Sequence, residues 1–158
     1  MTTAAAVVAA CISQGVTLAT AESLTAGLVA AQLAEVPGCS AMLRGGVVAY
    51  ATEVKAQVLG LDPMLLEQVV SEPVAVALAR AVTGVLGSDI GVGTTGVAGP
   101  DWLAGEPPGT VWIAVFDART KHSLAEKLML PGGRAAVREG AVQASFDLVL
   151  RLLTPAGE

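Results

Sequence analysis

Three groups of side chains in this sequence have the types and spacing that chemistry needs. The first is Glu22-Ser23-Leu24-Thr25-Ala26-Gly27, set between a short apolar run and a longer one. A serine at the carboxyl end of a strand has the N–H groups of the following turn within reach, and such donors can hold a developing oxyanion. No histidine is placed as its partner, because the single one, His122, sits in a late polar segment and reads as a surface residue. A nucleophilic Ser23 would therefore need a lysine or a tyrosine to take its proton, as in Ser–Lys variants of the triad logic. The plainer alternative is that Ser23 and Thr25 only cap a helix.

The second group is Tyr50-Ala-Thr-Glu-Val-Lys55, which holds the only tyrosine and the only lysine before Lys121. Its spacing is Y-x4-K, not the Y-x3-K of short-chain dehydrogenases. If Thr52 caps a helix, Lys55 falls in the first turn, where the positive end of the helix dipole opposes protonation. Partial burial pushes the same way, toward a neutral amine that can act as a base. An ordinary lysine, with its pKa near 10.4, is charged at neutral pH and cannot do this. A carboxylate on the amine would restore the charge, so neither Glu22 nor Glu53 is expected to touch it. Spacing alone also fits a solvated surface lysine.

The third group is Gly91-Val-Gly93-Thr-Thr-Gly96, which fits G-x-G-x-x-G, with Asp117 roughly 20 residues on. A dinucleotide site requires a helix opening at the third glycine. Val97-Ala98-Gly99-Pro100 and Pro107-Pro108 leave no room for one, so the match reads as a decoy. The loop over residues 96–108 is still long enough to suggest a role, exposing backbone N–H groups and the hydroxyls of Thr94 and Thr95.

The elements that must hold these groups alternate between helix and strand. Helices are expected over residues 2–14, 25–35, 52–59, from Asp62-Pro63, over 72–86 and over 134–153, the middle ones marked by a cap or a glycine stop. Strands are expected over residues 16–21, 42–50, 90–94, 110–117 and 121–130, of which Thr110–Asp117 (TVWIAVFD) is the clearest. The pattern is α/β: one domain over residues 1–158, with helices packed on a mixed, mostly parallel sheet. At 53% hydrophobic and 15% charged the chain is not disordered, and no apolar run is long enough to span a bilayer. Nine Lys and Arg scattered against 14 Asp and Glu argue against a nucleic-acid surface. Cys11 and Cys39 lack metal-ligand spacing and read as free thiols of a cytoplasmic protein, with no metal and no cofactor.

Taken in order, AESLTAG, RGGVVAYATEVK, VVSEPVA, TTGVAGPDW, PPGTVWIAV and PGGRAAVREGAVQ resemble the CinA C-terminal domain, the nicotinamide-nucleotide amidase family. The resemblance runs from about residue 5 to residue 153, in the stand-alone form of the family. It implies a three-layer α/β/α sandwich and metal-free hydrolysis of nicotinamide mononucleotide to nicotinate mononucleotide and ammonia. By the same resemblance Ser23 matches the nucleophile, Lys55 the base and Tyr50 an assisting residue that passes a proton to the ammonia. The nucleotide is then expected against Thr25, Ala26, Gly27, Thr94, Thr95, Gly96, Ala98 and Gly99, with the N-terminus of the helix after Ser23, Arg44 and Arg134 as phosphate candidates. Two positions depart from the family's Glu-Ser-Cys-Thr-Gly-Gly: Leu24 stands for the Cys and Ala26 for a Gly. Ala26 leaves a second reading open, a non-catalytic nucleotide-binding or partner module of the same fold. The high apolar fraction suits a homodimer.

Overall fold

In the computed structural model, which describes residues 1–154 and 157, every element packs on a single five-stranded sheet. The strands are β1 (Leu18–Glu22), β2 (Leu43–Val48), β3 (Ile90–Gly96), β4 (Thr110–Asp117) and β5 (His122–Met129), in the spatial order β2-β1-β3-β4-β5. β1 pairs in parallel with both β2 and β3, while β4 runs antiparallel to β3 and to β5. Only β4 therefore points against the others. The helices are α1 (Thr3–Gln14), α2 (Leu28–Ala34), α3 (Thr52–Leu59), α4 (Glu72–Leu86) and α5 (Arg134–Leu153).

The strands sort their side chains by alternation, and this builds the three layers. Leu18 of β1, Ile90 and Val92 of β3, and Val111, Ile113 and Val115 of β4 face α1, α2 and α5 in the larger core. Ala19 and Ala21 of β1 face the other way, onto Val74, Leu78 and Val82 of α4 and Leu59 of α3. Small residues on that second face let α4 come close. A Cβ on Gly91 would lie 1.8 Å from the Ala79 carbonyl oxygen, and one on Gly93 would lie 2.3 Å from that of Ala75. The G-x-G pair in β3 is thus a seat for a helix on a sheet, and the chain runs on from it as strand and loop, as the decoy reading requires.

Several element ends differ from expectation, each for a local reason. The helix after Ser23 starts at Leu28, because residues 23–27 form a tight turn with Ala26 at φ 49° and Gly27 at φ 93°. Thr52 does not cap α3: Ala51 holds the cap position without a side-chain bond, and Thr52 is the first helical residue. The segment opened by Asp62-Pro63 tightens into a 3-10 turn, Leu65–Gln68, with Asp62 Oδ1 accepting from the Met64 N–H at 2.9 Å. Ser71 does cap α4, accepting from the Val74 N–H at 3.4 Å. Cys11 is buried and Cys39 half-buried, both free thiols. No helix among the described residues is long and apolar enough to cross a membrane.

Candidate active site

Strand direction brings the chemistry to one end of the sheet. β1, β2 and β3 are parallel, so Ser23, Tyr50 and the loop of residues 97–109 all emerge at their carboxyl ends, with Ser23 between the other two. This is the edge at which parallel sheets carry their ligands.

Alternation also decides which buried charge meets which partner. Glu22, fully buried, points toward α2, where its carboxylate accepts from the Val29 N–H at 2.9 Å, the Ala30 N–H at 3.1 Å and the Thr20 hydroxyl at 2.9 Å. Ser23 is the next residue and turns to the opposite side, toward α3. There Lys55, only 1% exposed, donates to Ser23 Oγ at 3.0 Å, to the Ala49 carbonyl at 2.8 Å and to the Tyr50 carbonyl at 3.1 Å. The thickness of the sheet thus separates the buried Glu22 carboxyl group from the buried Lys55 amine. No carboxylate among the described residues forms an ion pair with Lys55. Burial lowers its pKa to about 8, and the Glu53 carboxylate pulls more weakly the other way.

The count of positions on Lys55 Nζ defines what it can do. Two are taken by backbone carbonyls, which accept N–H whether the amine is charged or not. The third faces Ser23 Oγ. In the neutral amine that third position is the lone pair, aimed at the serine hydroxyl. The geometry is that of a general base on a nucleophile.

The turn after Ser23 is fixed from three sides. The Ser23 N–H donates to the Thr94 carbonyl at 3.1 Å and to its hydroxyl at 3.3 Å, and the Thr25 and Thr94 hydroxyls bond each other at 2.9 Å. From α5, Arg138 donates to the Leu24 carbonyl at 2.9 Å and to the Thr25 carbonyl at 3.0 Å. The turn's own bonds run from the Ala26 N–H to Ser23 O and from the Leu28 N–H to Thr25 O. The N–H groups of Leu24, Thr25 and Gly27 are left uncommitted among the described residues.

A cleft of about 320 Å³ opens on Ser23, at the small end of the range for ligand sites. Of the residues expected there, Ser23, Tyr50, Gly96, Ala98, Gly99 and Arg134 line it. Arg134 donates to the Gly99 carbonyl and to the Tyr50 hydroxyl, each at 2.6 Å, bridging two walls. The Tyr50 hydroxyl therefore sits on Arg134, and it is the backbone carbonyl of Tyr50 that touches Lys55.

The other expectations need correction. Thr25, Thr94 and Thr95 are buried and their hydroxyls are spent inside the protein, that of Thr95 on the Val69 carbonyl at 2.8 Å, so none is free for a ligand. The N-terminus of α2 is not an open anion site, since Glu22 already occupies its N–H groups. Arg44 lies near the opposite, amino end of β2 and donates to the Leu86 carbonyl at 3.0 Å, away from the cleft. Gly27 packs against Val48 instead of lining the cleft. Ala26 is exposed outside the lining and adopts the left-handed turn itself, so its methyl group takes no space from the cleft.

Arg138 and Trp102 are the residues that sequence reasoning passed over. Arg138 had a signal: it follows Arg134 by four residues, so both leave α5 on one face, toward the same end of the sheet. Trp102, 68% exposed, lines the cleft from a loop whose conformation no periodicity announces.

Comparison with known proteins bears on the family and the fold. The family model described as CinA C-terminal domain matches residues 1–153. A CinA-like protein of Frankia casuarinae is 46% identical over 144 residues, covering 90% of this chain and 33% of that protein, so the chain spans about a third of its relative. A competence-damaged protein (CinA) superfamily structure from Klebsiella pneumoniae superposes with a TM-score of 0.90 at 30% identity, covering 97% of this chain and 98% of that one. Another, from Escherichia coli, gives a TM-score of 0.90 at 27% identity, covering 95% of this chain and 88% of that one. The α/β fold with helices on both faces of a mixed five-stranded sheet is theirs as well.

Proposed function

This chain belongs to the CinA C-terminal domain family, and from that membership together with the Ser23–Lys55 pair we propose that it is an amidase acting on a nucleotide carboxamide, nicotinamide mononucleotide. The observation that carries the reading is the aim of Lys55: one Nζ position on Ser23 Oγ at 3.0 Å, two on carbonyls, and a pKa lowered to about 8 by burial.

Neutral Lys55 takes the hydroxyl proton as Ser23 Oγ bonds to the carboxamide carbon. The negative charge that appears on the amide oxygen lies within the turn, where Leu24, Thr25 and Gly27 have uncommitted N–H donors. Arg138 on the Leu24 carbonyl polarises the peptide that carries the Thr25 N–H and so strengthens that donor. The C–N bond then breaks as the Lys55 ammonium returns its proton to the leaving nitrogen, giving ammonia and a Ser23 ester. Water, deprotonated by Lys55, hydrolyses the ester to the free acid and restores Ser23. Tyr50, its hydroxyl held by Arg134, acts in this scheme through its carbonyl and as a wall of the cleft. Arg134, at the mouth, is the phosphate candidate that the geometry favours.

Release of ammonia from nicotinamide mononucleotide by the purified protein, set beside nicotinamide riboside and free nicotinamide, tests the proposal. Release from the mononucleotide with a much lower kcat/KM for the other two is expected. Tight binding without release would favour a non-catalytic module, and equal kcat/KM for riboside and mononucleotide would remove the phosphate contact.

A further inference from the structure

The cleft carries a large apolar side chain that the proposed chemistry does not use. Trp102 is 68% exposed and its neighbour Leu103 50%, although both line the cleft that opens on Ser23. This exposure does not come from a loose loop. Leu103 and Glu106 exchange backbone hydrogen bonds of 3.1 and 2.9 Å, Gln68 Nε2 donates to the Ala104 carbonyl at 3.2 Å, and Val97 and Gly109 are tied at 2.8 Å. Trp102 is kept exposed in the lining of the cleft by a pinned hairpin. Exposing such a side chain is unfavourable in water, and it is the type of side chain that binding sites keep exposed for a ligand to cover.

The surroundings say what kind of ligand fits. Trp102 comes from the loop after β3, on one side of Ser23, and Tyr50 follows β2 on the other, so the nucleophile lies between two segments that each bring an aromatic ring. Asp101, beside Trp102, adds a carboxylate to the same lining, and Arg134 is held by one bond to the Gly99 carbonyl and one to the Tyr50 hydroxyl, which leaves its other N–H groups for the phosphate. An indole face next to a carboxylate suits a flat ring that carries positive charge.

We infer that Trp102 is a specificity-determining residue whose indole face takes the cationic heteroaromatic ring of the substrate and holds its carboxamide toward Ser23. The inference rests on the amidase reading for the placement of the carboxamide, but not for the contact itself.

The chain has two tryptophans, and Trp112 is a half-buried residue of β4, so Trp112→Phe leaves Trp102 as the only indole reporter. In a Ser23→Ala, Trp112→Phe protein, nicotinamide mononucleotide should change the fluorescence saturably and ribose 5-phosphate, which lacks the ring, should not. In the wild-type background Trp102→Ala should raise KM about tenfold, as expected for loss of an aromatic contact to a partly desolvated cation, and more than it lowers kcat. Trp102→Phe should recover most of the loss, which shows that a ring and not a fold-supporting contact is needed. No fluorescence response to the mononucleotide would overturn the inference. So would an unchanged KM in Trp102→Ala, including the case where that variant alters only the oligomeric state. A saturable response in the fluorescence protein with no ammonia release by the wild type would remove the amidase and keep the ring contact; ammonia release by the wild type with an unchanged KM in Trp102→Ala would do the reverse.

Discussion

The two ends of the sheet handle buried charge in opposite ways. At the amino ends of β1 and β3, Asp117 and Arg119 are two residues apart and form a forked pair, with bonds of 3.0 and 2.7 Å. Nearby, Asp89 accepts from the Thr17 N–H and hydroxyl at 2.9 and 3.1 Å. At the carboxyl ends, Glu22 and Lys55 are more deeply buried, yet the sheet keeps them on opposite faces and each is satisfied by backbone and hydroxyl groups. A paired charge is held in its ionised form: Arg119 draws the Asp117 pKa below the usual carboxylate range. An unpaired buried lysine is pushed the other way, toward the neutral amine. The difference separates a structural end from the one where we propose the chemistry, although both are made of the same side-chain types.

The strongest way to break this contrast is at Ser23 and Lys55. Ser23→Ala should lower kcat by about 10³-fold or more while the fold survives, as for other covalent-catalysis knockouts. Lys55→Arg should be equally inactive, because guanidinium stays charged and cannot take a proton. An active arginine variant would show that the position supplies only charge. In the wild type, kcat/KM should rise with pH through about 8, as Lys55 loses its proton, and level off above it.

The same burial predicts that stability rises with pH, as it does for a paired acid whose folded pKa is also lowered, but in the alkaline window instead of the acid one. The folded pKa of Lys55 lies near 8, below its ordinary 10.5, so between these values the unfolded chain binds the proton that the folded one has released. Stability relative to Lys55→Met should therefore be flat below pH 8 and rise between pH 8 and 10.5, by up to ~3 kcal/mol. Denaturant titrations at several pH values check this. A flat difference across that window would mean that the amine is not desolvated.

Smaller effects sharpen the comparison. Arg138→Met should lower kcat by about 10- to 100-fold with little change in KM, since it removes the hold on two carbonyls of the turn and not a substrate contact. At the paired end, Asp117→Asn should leave kcat alone and cost on the order of 1 kcal/mol at neutral pH. Because the Asp117 pKa is lowered, that cost should persist down to its ordinary range and fade as pH drops through the folded value. Loss of activity in Asp117→Asn would erase the distinction between the two ends.

Much of this was legible in the sequence. TVWIAVFD announced β4, and the capped, glycine-stopped run announced α4, because their signals are local, whereas α3 begins at Thr52 itself and not after it. Ser23 and Lys55 were singled out together, and the structure brings them to 3.0 Å across 32 residues of chain. The threonines misled for a physical reason: hydroxyls next to a cleft and hydroxyls under it have the same sequence, and only the pairing of β1 with β3 shows that Thr94 turns inward with Thr25. The occupied N-terminus of α2 was hidden in the same way, since the carboxylate that fills it reaches back seven residues from Val29. The backbone turn at Ala26 was also out of reach, because an alanine gives no hint of positive φ.

Both carbonyls that hold Lys55 belong to the seven residues Ala49–Lys55. Lys55, its anchor points and the helical turn that connects them therefore form one short cassette, in which the aim of the amine is fixed locally. Inserting a residue beyond Gly60 would leave that aim intact. Inserting one between Ala51 and Lys55 would swing the amine by about 100° around the axis of α3 and off its carbonyls. The pair is thus far more tolerant of drift in the loops around it than of a single step of slippage inside the cassette.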